Sequence, residues 1–307
     1  MNVAIFGGTG YLGSYLVDAL IGDGHHPVLL VRPGSDRKVI HPEKCTLIPG
    51  DVNNGNGMHE VISQCQSVIY NVGILREFPD KNITFESLQY RGACHAMDIA
   101  AELGVERFLL TSANGAKSDG TAYQRTKYQA ETHLQTSGLA GTVFRPSVIF
   151  GDPRGGMEFA TQLCNEIIRI PVPAPFFYQG LLPINAGTFR MSPIHVKDMA
   201  EIYVKALVDP EAVGKTYILC GPDVLEWRAI IKTIGHAVGR NKFGLPVSVP
   251  AMKVIAGILE RFPSFPLTRD QLTMLIEGNT GDSSSVFQAY GIQPTPFNET
   301  SLAYLNP

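Results

Sequence analysis

The tightest constraint on this chain is a glycine spacing close to its start. An apolar run at residues 3–6 leads directly into Gly7-Gly8-Thr9-Gly10-Tyr11-Leu12-Gly13. Apolar residues then recur at Leu12, Tyr15, Leu16, Ala19 and Leu20, the spacing of one helix face, before Gly22 and Gly24 stop the pattern. A strand that turns this sharply into a helix needs residues without a Cβ at the turn, at the closest approach of a ligand, and where helix packs on strand. The resulting helix N-terminus offers N–H groups and a positive dipole end, the chemistry that holds a pyrophosphate. Gly7, Thr9, Gly10, Tyr11, Leu12 and Gly13 are therefore candidate dinucleotide-binding residues.

Further short apolar runs follow at 28–31, 46–48, 68–70, 107–110 and 142–144, with helical patterns at 85–103 and 123–135. Strands alternating with helices predict an α/β fold, a Rossmann-type doubly wound parallel sheet. After Pro146 the character shifts. Residues 151–187 are rich in Gly, Pro and aromatics, with a short helix expected near 157–168 and an extended piece at 191–195. A helix at 197–208 and a late strand at 216–219 follow, and from 221 onward the pattern is mostly helix with Pro-rich breaks. The expected division is a Rossmann domain from 1–150 plus about 187–220, and a smaller, mostly helical C-terminal lobe from about 151–186 plus 221–307.

Composition narrows the class. Of 307 residues, 44% are hydrophobic, enough buried surface to offset the ordering entropy and exclude intrinsic disorder. The 31 Gly and 21 Pro have no period, so the chain is neither collagen-like nor low in complexity. A net charge of −3 without a clustered basic face gives no nucleic-acid footprint. Cys45, Cys65, Cys94, Cys164 and Cys220 are odd in number and far apart, which reads as reduced thiols, with no metal site expected. No uncharged apolar run reaches the ~18 residues that span a bilayer. Residues 249–262 come closest, and there Met252, Ile255, Leu259 and Phe262 form a stripe. It reads first as core-facing and second as a surface for a partner or a membrane.

The remaining candidates follow strand ends. Arg32 ends the second strand, where an acidic residue would suit a ribose 2′-hydroxyl and Arg suits a 2′-phosphate. With Arg37 and Lys38 nearby, NADP(H) is favoured and NAD(H) stays possible. Asp51 and Val52 follow the third strand, suited to an adenine amino group and ring face, and Asn71, Val72 and Gly73 follow the fourth. Tyr123 and Lys127 are four apart, so on a helix they share a face. A nearby ammonium lowers a phenol pKa, which would let Tyr123 exchange a proton with a carbonyl or alcohol, while Lys127 bonds a nicotinamide ribose. Pro146 ends the sixth strand, and His195 and Asp198 lie in a later run, Asp198 where it would cap the following helix.

These runs together resemble an extended, or atypical, short-chain dehydrogenase/reductase: GGTGYLG at 7–13, GDV at 50–52, the Tyr123/Lys127 pair, FRPSVIFG at 144–151 and SPIHVKDMA at 192–200. More narrowly, YQRTKYQAE at 123–131, the run 214–240 and the run 266–279 resemble the nucleotide-binding accessory subunit of respiratory complex I and its bacterial relatives. The resemblance implies a Rossmann domain, a bound NAD(P), a substrate cleft, and Tyr123 and Lys127 as the catalytic pair. It departs at Ala113, where the family carries a Ser or Thr that bonds the substrate oxygen; Ser112 or Asn114 is the candidate substitute.

Two functions of different class follow. The first is an NADP(H)-dependent oxidoreductase on a small apolar carbonyl or quinone-like compound, with the stretch 171–183 as a candidate apolar lining. The second is a cofactor-binding assembly or interaction protein without turnover, with a protein partner or a second copy. A sugar-nucleotide epimerase or dehydratase is a weaker third. An apolar strand beginning at Val3 suggests no leader, so a bacterial cytoplasmic location is expected, or an organellar one after processing.

Overall fold

The structure is a computed structural model that describes residues 1–260 and 267–306. Its strands are β1 (Asn2–Phe6), β2 (His26–Val31), β3 (Thr46–Pro49), β4 (Ser67–Tyr70), β5 (Arg107–Thr111), β6 (Gly141–Pro146), β7 (Ile149–Phe150), β8 (Ala174–Tyr178), β9 (Arg190–Met191), β10 (Ile194–His195), β11 (Thr216–Leu219), β12 (Leu225–Glu226) and β13 (Gly244–Ser248). Its α-helices are α1 (Tyr11–Gly22), α2 (Met58–Ile62), α3 (Gly92–Glu102), α4 (Ala122–Thr136), α5 (Phe159–Leu163), α6 (Val196–Val208), α7 (Trp227–Ala237), α8 (Val249–Leu259), α9 (Arg269–Glu277) and α10 (Ser284–Tyr290). Of the expected apolar stripe at 249–262, Phe262 and the Leu259 side chain lie outside what is described, as does Pro266 of the run 266–279.

Two compact units share the chain. Unit 1 takes Met1–Pro146, Val196–Leu219 and Ser285–Ile292; unit 2 takes Ser147–His195, Cys220–Ser284 and Gln293–Pro307. Unit 1 is a seven-stranded sheet in the order β11-β6-β5-β4-β1-β2-β3, every pairing parallel. The chain moves outward from β1 to β3 and returns at β4 on the other side, so the switch point falls between β1 and β4, where such sheets place a crevice at the strand C-termini. This is the doubly wound Rossmann architecture that the alternation of patterns predicts.

Parallel strands are covered on both faces, and the sequence supplies the cover. Val61 and Ile62 from α2, Met97 and Ala100 from α3, and Leu134 from α4 join Ala4, Phe6, Val68 and Phe108 in one buried cluster. Helices α1 and α6 pack on each other, with Leu16, Leu20 and Tyr203 fully buried. Arg107 is half-buried and donates to the Ala206 and Leu207 carbonyls at the end of α6 (2.8 and 3.3 Å) and to the Ala140 carbonyl (2.9 Å). A guanidinium there satisfies carbonyls that a helix C-terminus leaves without donors.

Three local expectations differ. The helix predicted over 85–103 begins as a π-helical stretch, Glu86–Arg91, before α3. The buried Tyr70 hydroxyl donates to the Leu88 carbonyl (2.5 Å), inserting a side chain into the ladder, and a Cβ at Gly92 would lie 2.6 Å from that hydroxyl. Asp198 sits inside the first turn of α6 and is buried, since the helix starts at Val196. The segment 244–248 is a strand, β13, paired in parallel with β8.

Unit 2 has its own core, in which Phe150, Trp227, Ile230, Ile231, Ile234 and Phe297 are buried together. Helix α7 contributes Trp227, whose buried indole N–H is met by the Pro175 carbonyl (2.9 Å).

The β1–α1 turn positions everything that follows. Gly7 has φ +89°, and Gly10 N–H donates to the Gly7 carbonyl (3.1 Å). A Cβ at Gly13 would lie 2.1 Å from that same carbonyl oxygen, a backbone atom that cannot give way alone. Gly13→Ala is therefore expected to lower stability by at least about 2 kcal/mol. Chemical denaturation would read this as a lower midpoint at unchanged slope, while Gly24→Ala as a control meets no atom within 4 Å and pays only for its φ of +77°.

Candidate functional site

Apart from His195, the candidate residues belong to unit 1, most of them at the C-terminal ends of β1, β2, β3, β4, β5 and β6, with Tyr123 and Lys127 on α4 and Asp198 on α6. At the centre the glycine turn meets the end of β4. A Cβ on Gly7 would lie 2.8 Å from the Asn71 carbonyl oxygen, and Asn71 N–H donates to the Phe6 carbonyl (2.9 Å). Gly10 is the N-cap of α1, has no side chain to cap it, and the first ladder bond runs from Ser14 N–H to Gly10 (2.9 Å). The earlier helix N–H groups thus precede the ladder. Leu12 and Gly13 are buried and Thr9 and Tyr11 half-buried, so the turn is packed from behind. This cradle, free of Cβ atoms and ending on an uncapped helix, fits a dinucleotide pyrophosphate.

On the β2 side, Arg32 is exposed directly after the strand, and Arg37 and Lys38 are exposed on the 3-10 turn Asp36–Lys38. After β3, the half-buried Asp51 accepts from Asn53 N–H (2.9 Å), so one of its oxygens is held in a local turn. Val52 packs against the core. A Cβ at Gly50 would lie 2.1 Å from the Asn56 carbonyl oxygen, which fixes the loop that presents Asp51.

On the other side stands α4, started by a reciprocal capping box between Thr121 and Gln124. Lys127 is 4% exposed. Its ammonium donates to the Thr111 carbonyl at the end of β5 (2.8 Å) and to the Val72 carbonyl beyond β4 (3.3 Å). Burial pulls the amine down to about 8, with the Glu131 carboxylate pulling the other way. A Cβ at the exposed Gly73 would lie 3.6 Å from this ammonium, so that residue brings the backbone close to it. Tyr123, one turn earlier, is half-buried and packs edge-on against Phe85 with ring centroids 5.6 Å apart. Burial pushes its phenol up to about 12, opposite in direction to the lowering expected from a neighbouring ammonium.

Ser112 faces a different partner. Its hydroxyl donates to Glu131, and both side chains are buried. Arg145 clamps the same carboxylate through Nε (2.9 Å) and Nη2 (2.5 Å). Ala113 is also buried, and Asn114 N–H donates to the Pro146 carbonyl (2.9 Å), which ties the loop after β5 to the end of β6. His195 belongs to unit 2, edge-on to Phe150 with centroids 5.1 Å apart.

Three supporting residues are not among the candidate site residues, although Glu131 ends the run YQRTKYQAE and Arg145 lies in the run FRPSVIFG. Gln89, 1% exposed on the π-helical stretch, donates to the Ile74 carbonyl (2.7 Å) and so anchors the loop after β4. Glu131 and Arg145 form the buried pair just described. The spacing of Glu131, one turn beyond Lys127, was the available signal; Gln89 had none short of the structure.

Comparison with known proteins agrees with this geometry. Residues 7–166 match the NAD(P)H-binding family. The NADH-ubiquinone oxidoreductase 40 kDa subunit of Neurospora crassa mitochondria is 24% identical, over 99% of this chain and 78% of that protein. A ceramide reductase of Caulobacter vibrioides is 25% identical, over 87% of this chain and 80% of that protein. Among solved structures, gox2253 superposes with a TM-score of 0.77 at 21% identity, covering 99% of this chain and 96% of that one. The UDP-glucose 4-epimerase of Thermus thermophilus with NAD superposes at 0.73 and 16% identity, covering 99% and 97%. These two likenesses show the fold. The chain belongs to the NAD(P)H-binding family, as an extended short-chain dehydrogenase/reductase that resembles the accessory subunit of complex I.

Proposed function

We propose that this protein is an NADP(H)-dependent reductase of a small, apolar carbonyl or quinone-like compound. The observation that carries the reading is Lys127, a buried amine on the same helix face as Tyr123, held at the ends of β4 and β5 by two backbone carbonyls. An apolar side chain would fill that position at less cost in desolvation, so a retained amine points to use. The glycine turn would hold the pyrophosphate, Asp51 and Val52 the adenine, and Lys127 the nicotinamide ribose. Arg32, exposed at the end of β2, would pair with a 2′-phosphate, and Arg37 and Lys38 reinforce the positive field there. When bound, NADPH supplies the hydride. Tyr123, kept protonated by its burial, donates the proton to the substrate oxygen, which favours carbonyl reduction over alcohol oxidation near neutral pH. The likeness to a ceramide reductase supports an apolar substrate.

A second reading is favoured by one specific observation. With Ala113 at the expected hydroxyl position and the Ser112 hydroxyl given to Glu131, neither residue offers a hydroxyl to orient the substrate oxygen, and only Asn114 remains of the candidate substitutes. A protein that holds the cofactor for assembly with a protein partner, as its complex I relatives suggest, needs no such group. Those relatives are mitochondrial, so an organellar location stands beside a bacterial cytoplasmic one in this reading.

NADPH oxidation against a panel of carbonyls and quinones separates the two. The first reading expects turnover that falls roughly 10²-fold or more in Tyr123→Phe. Tight NADPH binding with no turnover in the wild type overturns it in favour of the second. Under either reading Arg32→Ala should bring the NADPH and NADH affinities together, from a roughly tenfold or greater preference for NADPH in the wild type. An unchanged ratio, measured by titration, removes Arg32 from cofactor selection.

The site also has a pH signature. An ordinary lysine titrates at 10.5, and burial holds Lys127 at about 8, so the unfolded chain binds this proton more tightly. Stability must then rise with pH across that window. Between about pH 7 and about pH 10, the cofactor-free wild type should gain roughly 2 kcal/mol relative to Lys127→Met, measured by denaturant unfolding of both. Parallel pH profiles would contradict the desolvated amine.

A further inference from the structure

Unit 2 carries an exposed surface that takes in the stretch 171–183, the candidate apolar lining of the sequence reading. Strand β8 pairs with β13 in register from Gly244↔Ala174 to Ser248↔Tyr178, the turn Pro183–Asn185 packs on both strands, and α8 follows β13 directly. The inner side is settled by a small core of Phe177, Val249 and Leu272. The outer side is not.

Among the described residues, twenty large apolar side chains stand exposed, and ten of them lie within 170–184 and 243–258. Leu181 is 99% exposed, Ile184 85%, Phe243 82% and Val254 65%. On α8, Val254 and Ile258 are one turn apart and both exposed, while Ala256 is fully buried. So dense a cluster of exposed apolar tips on a soluble surface marks a contact site.

Charge decides the occupant. Over 169–189 and 240–259 the chain has four cations, Arg169, Arg240, Lys242 and Lys253, and not one Asp or Glu. Arg240 and Lys242 donate to backbone carbonyls of residues 168–170, which leaves their positive charge uncancelled. Glu260, at the end of α8, is ion-paired with Arg269 (3.0 Å). A second copy docked on this face would bring like charges together, which is costly. Protein interfaces concentrate Tyr, Trp, Phe, Met and Arg at their centre, whereas nine of these ten tips are Leu, Ile or Val and one is Phe. Aliphatic tips on segments that carry cations and no carboxylate fit an anionic lipid surface. Among the described residues no helix is long and apolar enough to cross a membrane, so such contact is peripheral.

We infer that residues 170–184 and 243–258 form a docking surface for an anionic bilayer. The test is co-sedimentation of the whole protein with vesicles of phosphatidylcholine alone, or with about a third phosphatidylglycerol, at low and high salt. The protein should pellet with the anionic vesicles, less so at high salt, and remain in solution with the neutral ones. The double variant Leu181→Ser/Ile184→Ser should reduce the pelleted fraction's partition coefficient roughly tenfold, and Lys253→Glu roughly threefold or more. These three residues belong to unit 2 and every proposed cofactor residue to unit 1, so denaturant unfolding of the whole chain, not cofactor binding, checks that the variants are folded. The inference is overturned if anionic and neutral vesicles bind alike, if the variants pellet like the wild type, or if the double variant instead converts a dimer to a monomer on gel filtration. None of these outcomes depends on whether the protein turns over a substrate.

Discussion

A buried ammonium without a carboxylate on it is the constraint around which the site is organised. Lys127 reaches from α4 to the Thr111 and Val72 carbonyls, which belong to the exits of neighbouring strands in the sheet. Those carbonyls point past the end of the ladder, where no strand N–H remains to meet them. One side chain therefore satisfies two backbone acceptors and locks a helix to the edge of the sheet. β4 in turn pairs with β1, and the exit of β4 is the surface on which Gly7 rests. Loss of any of these elements would leave Lys127 buried with nothing to receive its protons, which is the expensive way to bury a cation.

The second buried charge, Glu131, works differently. Arg145 grips it from β6 and Ser112 adds a hydroxyl, so the carboxylate is fully met by groups from two strand ends. Because Glu131 lies one helical turn beyond Lys127, its negative charge opposes the desolvation that lowers the amine. The same arrangement removes Ser112 from any role toward a substrate. A hydroxyl donates one proton, and here it goes to a carboxylate. The hydroxyl of Ser112 is thereby committed to the Glu131 carboxylate.

What was legible in the sequence was whatever the backbone itself demands. The glycine spacing at 7, 10 and 13 announced a tight turn, and the clash distances at Gly7 and Gly13 repeat that demand, while Gly10 would meet its nearest atom at 3.2 Å. The parallel sheet followed from continuous apolar runs separated by helical stripes. The π-helical start of the 86–91 segment was not legible, because it depends on a Tyr70 hydroxyl arriving from another strand to take the Leu88 carbonyl. Likewise Ser112 and Ala113 read alike as neighbours of a strand end; which partner the hydroxyl takes depends on Arg145, over thirty residues later. The direction of the Tyr123 shift was also hidden, since a neighbouring ammonium and desolvation act oppositely and only packing against Phe85 and its surroundings says which prevails.

In the proposed reading, cofactor binding and catalysis rest on different kinds of atom in this chain. Binding is carried mainly by backbone: N–H groups at the start of α1, positions that admit no Cβ, and carbonyls at strand ends. Those features are inseparable from the fold, so any sequence that keeps the sheet keeps the cradle. In that reading catalysis falls to side-chain oxygens, each of which one substitution can remove without moving a strand; Ala113 is buried and has no hydroxyl to offer. A lineage can therefore keep its cofactor as a structural element after turnover has gone. On that account, likeness to both complex I subunits and reductases is what this architecture should produce, and the deciding features are the few hydroxyls at the exit of β5.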